Sequence, residues 1–192
     1  MIKTNNIDDI INNLNKKLKK STGEKPVVVA IDGMSASGKT SLADILSKQF
    51  DIDVIHMDDF FLPLNLRTDN RLSEVGGNVH YERFKDEVVS HINEFNPLNY
   101  KIFDCSIMDF NGNRMIRKSN IRIVEGSYSQ HPYFENYADI KIFCKISSEE
   151  QINRIINRNG AEKAIRFKNE WIPLENKYFE SLDLKDNIIF SN

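Results

Sequence analysis

Apolar residues in this chain fall into short, dense runs that alternate with stretches of helical spacing. The run PVVVAID, residues 26–32, is continuously apolar and β-branched, which predicts a strand buried on both faces, as in a parallel sheet. Further predicted strands are 53–56, 100–105, 121–126, 140–146 and 187–190, and predicted helices are 40–50, 81–95 and 148–158. This alternation indicates an α/β fold in which helices cover a parallel sheet. Since neither linker nor repeat interrupts it, we expect one domain over residues 1–192.

The N-terminal segment, residues 1–22, carries an amphipathic pattern. Ile7, Ile10, Leu14 and Leu18 recur at helical spacing with Asn, Asp and Lys between them, which predicts a helix that packs its apolar stripe against the domain. A membrane-surface helix is the alternative, but the stripe lacks the Trp or Phe that anchors such helices. The segment has no continuous apolar stretch of membrane-spanning or signal-peptide type, so we expect no membrane partner and a cytoplasmic location.

Composition narrows the function classes further. The formal net charge is −2 over 192 residues, whereas dedicated nucleic-acid binders carry a strong basic excess, so we expect no nucleic-acid partner. Cys105 and Cys144 lie far apart in the sequence without companions at metal-ligand spacing, and both are therefore expected to be reduced. The sequence leaves open whether the chain forms a homo-oligomer.

Between the first buried strand and the helix after it, residues 33–40 read GMSASGKT and fit the pattern G-x-x-x-x-G-K-[ST]. Glycines let the backbone curl so that successive N–H groups point at phosphate oxygens. The helix N-terminus adds its free N–H groups and its positive dipole end. In such P-loops the lysine, here Lys39, reaches the β- and γ-phosphates and the hydroxyl of Thr40 ligates Mg²⁺, so we predict an ATP site with Mg²⁺ as cofactor. The predicted ATP-binding residues are Gly33, Ser35, Ala36, Ser37, Gly38, Lys39, Thr40 and Ser41.

Two acidic positions follow predicted strands, where ligands bind in open α/β sheets. Asp58 and Asp59 come after the strand at 53–56, and Glu125 ends the apolar run IRIV. A carboxylate opposite a phosphate site can hold Mg²⁺ or its waters, or accept the proton of an attacking hydroxyl. The alternative is that these residues cap a helix or turn. Because a P-loop is present, we favour a functional role for these acidic residues. Asp58 is expected to take part in catalysis, Asp59 to bind substrate, and Glu125 to bind the metal together with Thr40.

Two arginines lie on one face of the predicted helix 148–158. Arg154 and Arg158 are four residues apart, and a transferring phosphoryl group is stabilised by guanidinium groups of this kind, so both are candidate catalytic residues. A solvated helix face is the alternative. Gly160 can end this helix, and the polar segment 159–169 that follows has a mobile character, so we expect it to act as a lid.

Several segments together resemble the uridine kinase branch of P-loop small-molecule kinases, which also includes pantothenate kinase and phosphoribulokinase. They are GMSASGKT, HMDDFFLP, GGNVHYERF, VEGSY and RIINR, and the similarity extends over nearly the whole chain from residue 26. The resemblance implies a P-loop NTPase fold with a five-stranded parallel sheet, helices on both faces and a short lid. It also implies that Asp58 is the catalytic base and that Glu125 orders Mg²⁺ through water. Arg154 and Arg158 would contact ATP phosphates.

The same resemblance suggests the class of acceptor. Segments containing Phe61, His80, Tyr81 and Phe103 correspond to those that line the acceptor pocket in these kinases, so a small-molecule hydroxyl acceptor of nucleoside (uridine-like) type is expected. His80 stands where uridine kinases have an Asp that grips the ribose hydroxyls. Neutral imidazole offers one acceptor and one donor, whereas a carboxylate accepts both protons. A pantothenate-like or sugar acceptor on the same scaffold is therefore an alternative.

A nucleotide switch or ATPase without a phosphoryl acceptor is the alternative from another class. GTPases require an N-K-x-D guanine reader, and neither Asn-Lys pair of the sequence is followed by Asp at the needed place. The Leu-Ser-Gly-Gly-Gln signature of transporter ATPases does not occur either. An inactive nucleotide-binding homologue is disfavoured because Lys39, Thr40, Asp58 and Glu125 are all present. The sequence therefore predicts an ATP-dependent small-molecule kinase.

Overall fold

The computed structural model describes residues 1–191 and has the α/β architecture that the alternating pattern predicts. Its main sheet has six parallel strands in the order β1-β8-β7-β2-β6-β3. They are β1 (Ile2–Thr4), β2 (Val27–Gly33), β3 (Val54–His56), β6 (Ile121–Glu125), β7 (Ile140–Lys145) and β8 (Asn187–Ser191). The remaining two strands, β4 (Leu98–Asp104) and β5 (Asp109–Ile116), form a separate antiparallel hairpin.

Helices lie between most of the strands and cover the main sheet. The α-helices of the described residues are α1 (Ile7–Lys20), α2 (Lys39–Phe50), α3 (Asp69–Ser73), α4 (Tyr81–Phe84), α5 (Ser148–Asn159), α6 (Ala161–Arg166) and α7 (Ile172–Ser181). π-Helical turns at Lys85–Val89 and Phe167–Trp171 extend α4 and join α6 to α7, and short 3-10 turns at Met57–Phe60 and Leu64–Leu66 follow β3. Within residues 1–191, no helix has both the length and the apolarity needed to cross a membrane.

The central strand β2 is buried along its whole length because a layer of helices covers each face of the sheet. Val29 belongs to the core that contains Leu14 of α1 and Leu46 of α2. Val28 belongs to the opposite core, which contains Tyr178 of α7. Burying a Val side chain fully contributes about 1.5–3 kcal/mol relative to leaving it exposed, so this strand is a major stabilising element. The predicted parallel sheet with helices on both faces is confirmed.

The number of strands in the main sheet is six, so the expected five-stranded sheet is wrong by one strand. The additional strand is β1, which pairs with β8 in parallel register from Ile2 opposite Ile188 to Thr4 opposite Phe190. It is three residues long, and Ile2 and Lys3 are exposed. A short edge strand of this composition has no apolar run that could mark it in the sequence.

The strand predicted at 100–105 lies outside the parallel sheet. It is part of β4, which pairs with β5 through a turn at 105–108. Parallel strands need a crossover of a dozen or more residues, whereas a turn this short joins only antiparallel strands. Residues in β4 alternate between buried and exposed, as expected of a hairpin with one solvent-facing side.

One helix prediction needs correction. α4 and its π-helical turn end at Val89 rather than at residue 95, and the N–H of Ser90 donates to the carbonyl of Lys85 five residues earlier. Gly160, with φ of 84°, does end α5 as predicted. The following segment 159–169 contains α6 and the start of a π-helical turn, and Ala164 and Phe167 share one face and pack on Ile155. Its action as a lid stays a prediction.

The two cysteines are free thiols, as predicted. Cys105 is exposed at the hairpin turn, and Cys144 is buried in β7.

Candidate functional site

The loop after β2 has the backbone of a phosphate cradle. Gly33 has a φ of 133°, and a Cβ atom built there would lie 2.1 Å from the carbonyl oxygen of Cys144, so only glycine fits. The N–H of Met34 donates to that same carbonyl over 3.1 Å, which ties the start of the loop to β7. Gly38, with φ of 91°, is the N-cap of α2. The N–H groups of the first turn of α2 therefore remain available to an anion.

Lys39 and Ser37 place polar groups in this cradle. Lys39 Nζ donates to the carbonyl oxygens of Gly33 and Met34, each over 2.9 Å, so the ammonium group spans the loop. Ser37 is fully buried, and its Oγ has no hydrogen-bond partner among residues 1–191. A buried hydroxyl without a partner is costly unless a ligand engages it. Both observations fit a phosphate-bearing ligand in the loop.

Asp32 joins the loop to the segment after β6. Its fully buried carboxylate accepts hydrogen bonds from the N–H groups of Gly33 (2.7 Å), Tyr128 (3.2 Å) and Gln130 (2.8 Å), and from the hydroxyl of Tyr178 (2.6 Å). Loss of hydration raises the pKa of Asp32 despite these donors. Donors from the loop itself, from the segment after β6 and from α7 fix the position of the cradle relative to the sheet.

Two side chains from later helices hold the apex of the cradle. Glu175 of α7, 4% exposed, accepts from the N–H of Ser35 (3.0 Å), from its hydroxyl (2.6 Å) and from the hydroxyl of Ser127 (3.0 Å). Gln151 of α5 donates from Nε2 to the carbonyl of Ser35 over 3.1 Å. The conformation of the phosphate loop is therefore coupled to α5 and α7.

A second group of polar residues faces the cradle from the carboxyl ends of β3 and β6. Thr40 Oγ1 donates to Glu125 Oε2 over 3.3 Å, and His56 Nδ1 lies 2.6 Å from Glu125 Oε1. The hydrogen bond to Glu125 raises the pKa of His56, although burial acts in the opposite direction. The orientation of the Glu125 carboxylate is thus set from both sides.

The residues at this point suit a Mg²⁺ ion. Thr40 and Glu125 provide hard oxygen donors, which are the ligands that Mg²⁺ prefers. Among residues 1–191, no group of three or more His, Cys, Asp and Glu side chains could hold a metal ion by itself. Mg²⁺ at phosphoryl-transfer sites is held by one or two protein ligands together with substrate phosphates and waters, so a larger protein cluster is not required.

Asp58 is exposed in the turn after β3, and we refer to the space between this turn and the phosphate cradle as the cleft. Its carboxylate has no hydrogen-bond or ion-pair partner among residues 1–191. Loss of hydration raises its pKa, and the negative charge of Glu125 acts in the same direction while Lys39 lowers it. Asp58 therefore lies within electrostatic range of both the cradle and the candidate metal ligand.

Asp59, the neighbour of Asp58, is directed into the protein. It is 7% exposed and accepts from Arg114 Nε over 2.7 Å, from Arg114 Nη2 over 3.3 Å and from the Tyr100 hydroxyl over 3.0 Å. These contacts connect the turn after β3 to the hairpin. A direct contact of Asp59 with substrate stays a prediction.

The two candidate arginines of α5 have different surroundings. Arg154 is half-buried and donates from Nη1 to the carbonyl of Ala36 over 3.4 Å, next to the cradle, and from Nε to Glu150 over 2.9 Å. Arg158 is exposed and donates from Nε to Asn159 over 2.8 Å. The structure therefore brings Arg154, but not Arg158, to the cradle.

Two of the four acceptor-lining predictions lie beside the turn that carries Asp58. Phe61 forms an isolated antiparallel bridge with Val79, and the N–H of His80 donates to the carbonyl of Phe60 over 2.7 Å. His80 Nδ1 is buried without a partner among the described residues, and loss of hydration lowers the pKa of this imidazole.

The other two acceptor-lining predictions have partners within the protein. The Tyr81 ring stacks on His131 with 5.3 Å between centroids, its hydroxyl donates to Glu74 over 2.6 Å, and burial raises its pKa to about 12. Phe103 is 3% exposed and packs edge-on against Phe110. Ser41, predicted to bind ATP, lies exposed in the first turn of α2.

Sequence reasoning missed four residues of this site: Asp32, His56, Gln151 and Glu175. Ser35 and Glu175 are 140 positions apart, so no local pattern could have paired them. His56 had a usable signal, because it ends a predicted strand immediately before the candidate aspartates.

A cavity of about 400 Å³ lies elsewhere, among residues that include Leu18, Phe50 and Ile121. Ile121 begins β6, whereas Glu125 at the other end of that strand belongs to the site. This cavity is therefore separate from the cradle and does not enter its chemistry.

Comparisons with known proteins agree with this geometry. A possible uridine kinase from Bacillus stearothermophilus is 22% identical, with a TM-score of 0.66 over 96% of this chain and 98% of that chain. A candidate fructose transport system kinase from Silicibacter sp. TM1040 is 16% identical, with a TM-score of 0.76, and the match again covers 96% of this chain and 98% of that chain. Identities this low show the fold alone. No curated protein matches the sequence significantly.

A family model assigns the chain more specifically. The model described as KAP family P-loop domain matches residues 7–166, a span that includes the phosphate cradle, Asp58, Glu125 and α5. A P-loop of this kind binds nucleotide, generally together with Mg²⁺. Since the match covers most of the sequence, the chain belongs to the KAP family of P-loop domains.

Proposed function

We propose that this protein is an ATP- and Mg²⁺-dependent phosphotransferase that phosphorylates a hydroxyl group of a small molecule. ATP would bind through the loop from Gly33 to Thr40 and the first turn of α2. When bound, Mg²⁺ would neutralise charge on the phosphates, and Thr40 and Glu125 are the residues that would hold it. That the partner is a small molecule rather than nucleic acid or a membrane stays a prediction from the charge and sequence pattern.

One observation carries the proposal: the exposed carboxylate of Asp58, within electrostatic range of Lys39 and Glu125, has no partner among residues 1–191, whereas its neighbour Asp59 is fully engaged. Asp59 accepts hydrogen bonds from Arg114 and Tyr100, whereas Asp58 has no partner within residues 1–191. A carboxylate kept free in this position is able to accept a proton from a bound hydroxyl. Its raised pKa makes it a stronger base than an ordinary aspartate.

The chain's own residues would divide the chemistry as follows. Asp58 would orient the acceptor hydroxyl and take its proton. Lys39 would stabilise charge on the transferring group, and Arg154, which already contacts the carbonyl of Ala36, would approach the same phosphates. Glu175 and Gln151 would keep the loop in its binding conformation through Ser35.

Hydrolysis of ATP without an acceptor is the second candidate. The family description names a P-loop domain and specifies no acceptor, and the contacts between the cradle and α5 and α7 could transmit a nucleotide-dependent change. A hydrolytic site would activate water in place of a hydroxyl compound. The two functions therefore differ in whether ADP release depends on an added acceptor.

The class of acceptor also belongs to the proposal. The sequence resemblance and the similarity to a possible uridine kinase support a nucleoside acceptor. The similarity to a candidate fructose transport system kinase supports a sugar acceptor, and a pantothenate-like acceptor stays an alternative. Nδ1 of His80 is buried and has no partner among the described residues. A neutral imidazole cannot accept hydrogen bonds from two ribose hydroxyls as a carboxylate can, so His80 favours a different contact with the acceptor.

The test is a screen of nucleosides, sugars and pantothenate for ADP formation from Mg·ATP. We expect at least one acceptor to raise the rate well above the rate in its absence. The variant Lys39→Ala, purified in the same way, serves as the control for contaminating kinases. An ADP release rate that is the same with and without every compound would favour the hydrolytic candidate.

A further inference from the structure

Arg67 lies half-buried in the loop that follows the turn carrying Asp58. It comes directly after the 3-10 turn Leu64–Leu66, and its own N–H donates to the carbonyl of Leu64 over 3.1 Å. Its side-chain Nε donates to the carbonyl of Leu62 over 2.7 Å. This bond fixes one edge of the planar guanidinium group. Within the described range 1–191 the two Nη groups pair with no carboxylate or carbonyl oxygen, and the guanidinium lies within hydrogen-bonding reach of the neutral thiol of Cys105.

Three of the other arginines differ from Arg67 in this respect. Arg71 forms a bidentate pair with Glu82, at 2.7 and 2.8 Å. Arg114 pairs with Asp59, and the buried Arg122 donates to three backbone carbonyls. Arg67 thus combines partial burial, one anchored edge and two Nη groups that no carboxylate or carbonyl oxygen of the described residues engages.

The surroundings of Cys105 locate Arg67 relative to the catalytic candidate. Cys105 lies at the hairpin turn, and partial loss of hydration raises the pKa of its thiol. The guanidinium of Arg67 lowers that pKa, whereas the carboxylate of Asp58 raises it further. Both charges are therefore close to the same sulfur atom. Nε of Arg67 also binds the carbonyl of Leu62, four residues beyond Asp58, so the two charged groups lie in the same region, between the loop after β3 and the hairpin turn.

We propose that Arg67 binds an anionic group of the phosphoryl acceptor, a carboxylate or a phosphate, while Asp58 binds the acceptor hydroxyl. This inference rests on the proposed kinase function. A guanidinium group with one fixed edge offers paired N–H donors in the geometry that carboxylate and phosphate oxygens match. Asp58 and Glu125 would otherwise repel an anion from this cleft, so an uncompensated cation is the feature that an anionic acceptor requires.

The proposal changes the expected order among acceptor classes. Hydroxy acids, including pantothenate-like compounds, and sugar phosphates become the favoured acceptors. Neutral nucleosides, including uridine, leave the Nη groups of Arg67 without a charged partner. A neutral carbonyl group could accept from the same donors, but a hydrogen bond between two charged groups is about twice as strong as one between neutral groups.

The test compares matched pairs of compounds that differ in one anionic group: pantothenate with panthenol, glycerate with glycerol, and ribose 5-phosphate with ribose. Each is titrated by calorimetry into the full chain saturated with Mg²⁺ and a non-hydrolysable ATP analogue, so that the phosphate cradle is filled. We expect at least one anion to bind about tenfold or more tightly than its neutral partner. Arg67→Gln should remove this preference, and Arg67→Lys should restore part of it. Glycerate or pantothenate as the preferred anion would indicate a carboxylate, and ribose 5-phosphate a phosphate.

Two controls keep the result specific. Arg117→Gln removes an exposed guanidinium that pairs with Asp53, and it should leave the anion preference unchanged. Affinity for the ATP analogue should be equal in all variants. Equal binding of the charged and neutral members of every pair, or a preference that persists in Arg67→Gln, would overturn the proposal. Since binding is measured without turnover, this failure differs from failure of the kinase function, which appears as acceptor-independent ADP release.

Discussion

His56 and Glu125 lie side by side at the ends of two paired strands, with His56 Nδ1 2.6 Å from Glu125 Oε1. The strand register places the two residues directly opposite each other in the parallel pair β3–β6. The second oxygen of Glu125 accepts from Thr40. His56 therefore orients the carboxylate that would hold Mg²⁺ without needing to contact the metal.

The first prediction concerns this orientation. His56→Ala should raise the Mg²⁺ concentration needed for half-maximal activity by about tenfold, because loss of a partner that orients a ligand weakens metal binding. His56→Asn should be milder, since an amide N–H can still donate to Glu125. Mn²⁺ affinity measured by electron paramagnetic resonance with ATP present gives a readout apart from activity. His91→Ala, which alters an exposed histidine paired with Glu94, is the control. Unchanged metal dependence in His56→Ala would contradict this role.

The second prediction concerns the phosphate cradle. Lys39→Ala should lower kcat by at least about 100-fold, because it removes the cation that stabilises charge on the transferring group. Lys39 Nζ also bridges two loop carbonyls, so some loss of ATP affinity is expected as well. Lys48→Ala, on the exposed face of the same helix, should behave like wild type. Steady-state kinetics measure the effect on turnover, and circular dichroism checks that both variants are folded. A near-normal kcat in Lys39→Ala would exclude Lys39 as the residue that stabilises the transferring phosphoryl group.

The third prediction separates the two arginines of α5. Arg154→Ala should lower kcat by about 100-fold, more than it raises the Kd for ATP, since its guanidinium already reaches Ala36 of the cradle. Arg158→Ala should have a smaller effect, because Arg158 is exposed and bonded to Asn159. Kinetics and ATP titrations on the single and double variants provide the measurement. If Arg158→Ala proves the more damaging variant, α6 and the segment 159–169 must rearrange in the working enzyme.

The fourth prediction uses the titration of His131. Its Nε2 lies 3.0 Å from the carbonyl of Val75 and its Nδ1 accepts from the N–H of Tyr133, so the imidazole must be neutral. Burial lowers its pKa below the unfolded value of 6.5. The unfolded state therefore binds more protons between the two pKa values, and the stability that His131 contributes is present above pH 6.5 and lost as the pH falls through the folded pKa.

Urea unfolding at pH 7.5 and pH 5.5 measures this contribution. The wild type should lose more free energy of unfolding than His131→Asn over that interval. His56, whose pKa is shifted upward, titrates in both proteins and cancels from the difference. Equal losses in the two proteins would show that His131 does not titrate as described.

The sequence predicted those elements that are determined by residues close together in the chain. The buried strand β2 and the cradle after it could be read from a continuous apolar run and a fixed motif. Asp58 and Glu125 could be proposed because strand ends converge on one edge of a parallel sheet. β1 could not be predicted, because a three-residue strand at the edge of a sheet leaves only a weak apolar pattern in the sequence. The antiparallel pairing of the hairpin could not be predicted either, because a half-buried strand gives a similarly weak pattern.

The parts of the site that depend on distant contacts also escaped prediction. Glu175 reaches Ser35 across 140 positions, and Asp32 reaches Tyr178 across 146. Pairing of this kind is decided by how α7 packs against the sheet rather than by any spacing in the sequence. The contrast between Asp58 and Asp59 likewise depends on Arg114, which lies 55 positions beyond Asp59.

The fifth prediction concerns that pair of aspartates. Asp58→Asn keeps the shape of the side chain but removes the base, so transfer should fall by about 10²–10⁴-fold with little change in ATP affinity. Asp59→Asn should instead lower the free energy of unfolding by about 1–3 kcal/mol, because it leaves Arg114 without its charged partner.

The decisive measurement is ADP release from Mg·ATP by wild type and Asp58→Asn, each with and without the best acceptor of the screen. Calorimetric ATP binding to both proteins accompanies it. The kinase account predicts that the acceptor accelerates ADP release in wild type and that Asp58→Asn loses this acceleration while binding ATP normally. Acceleration of the same size in Asp58→Asn, or a wild-type rate that no acceptor changes, would contradict it.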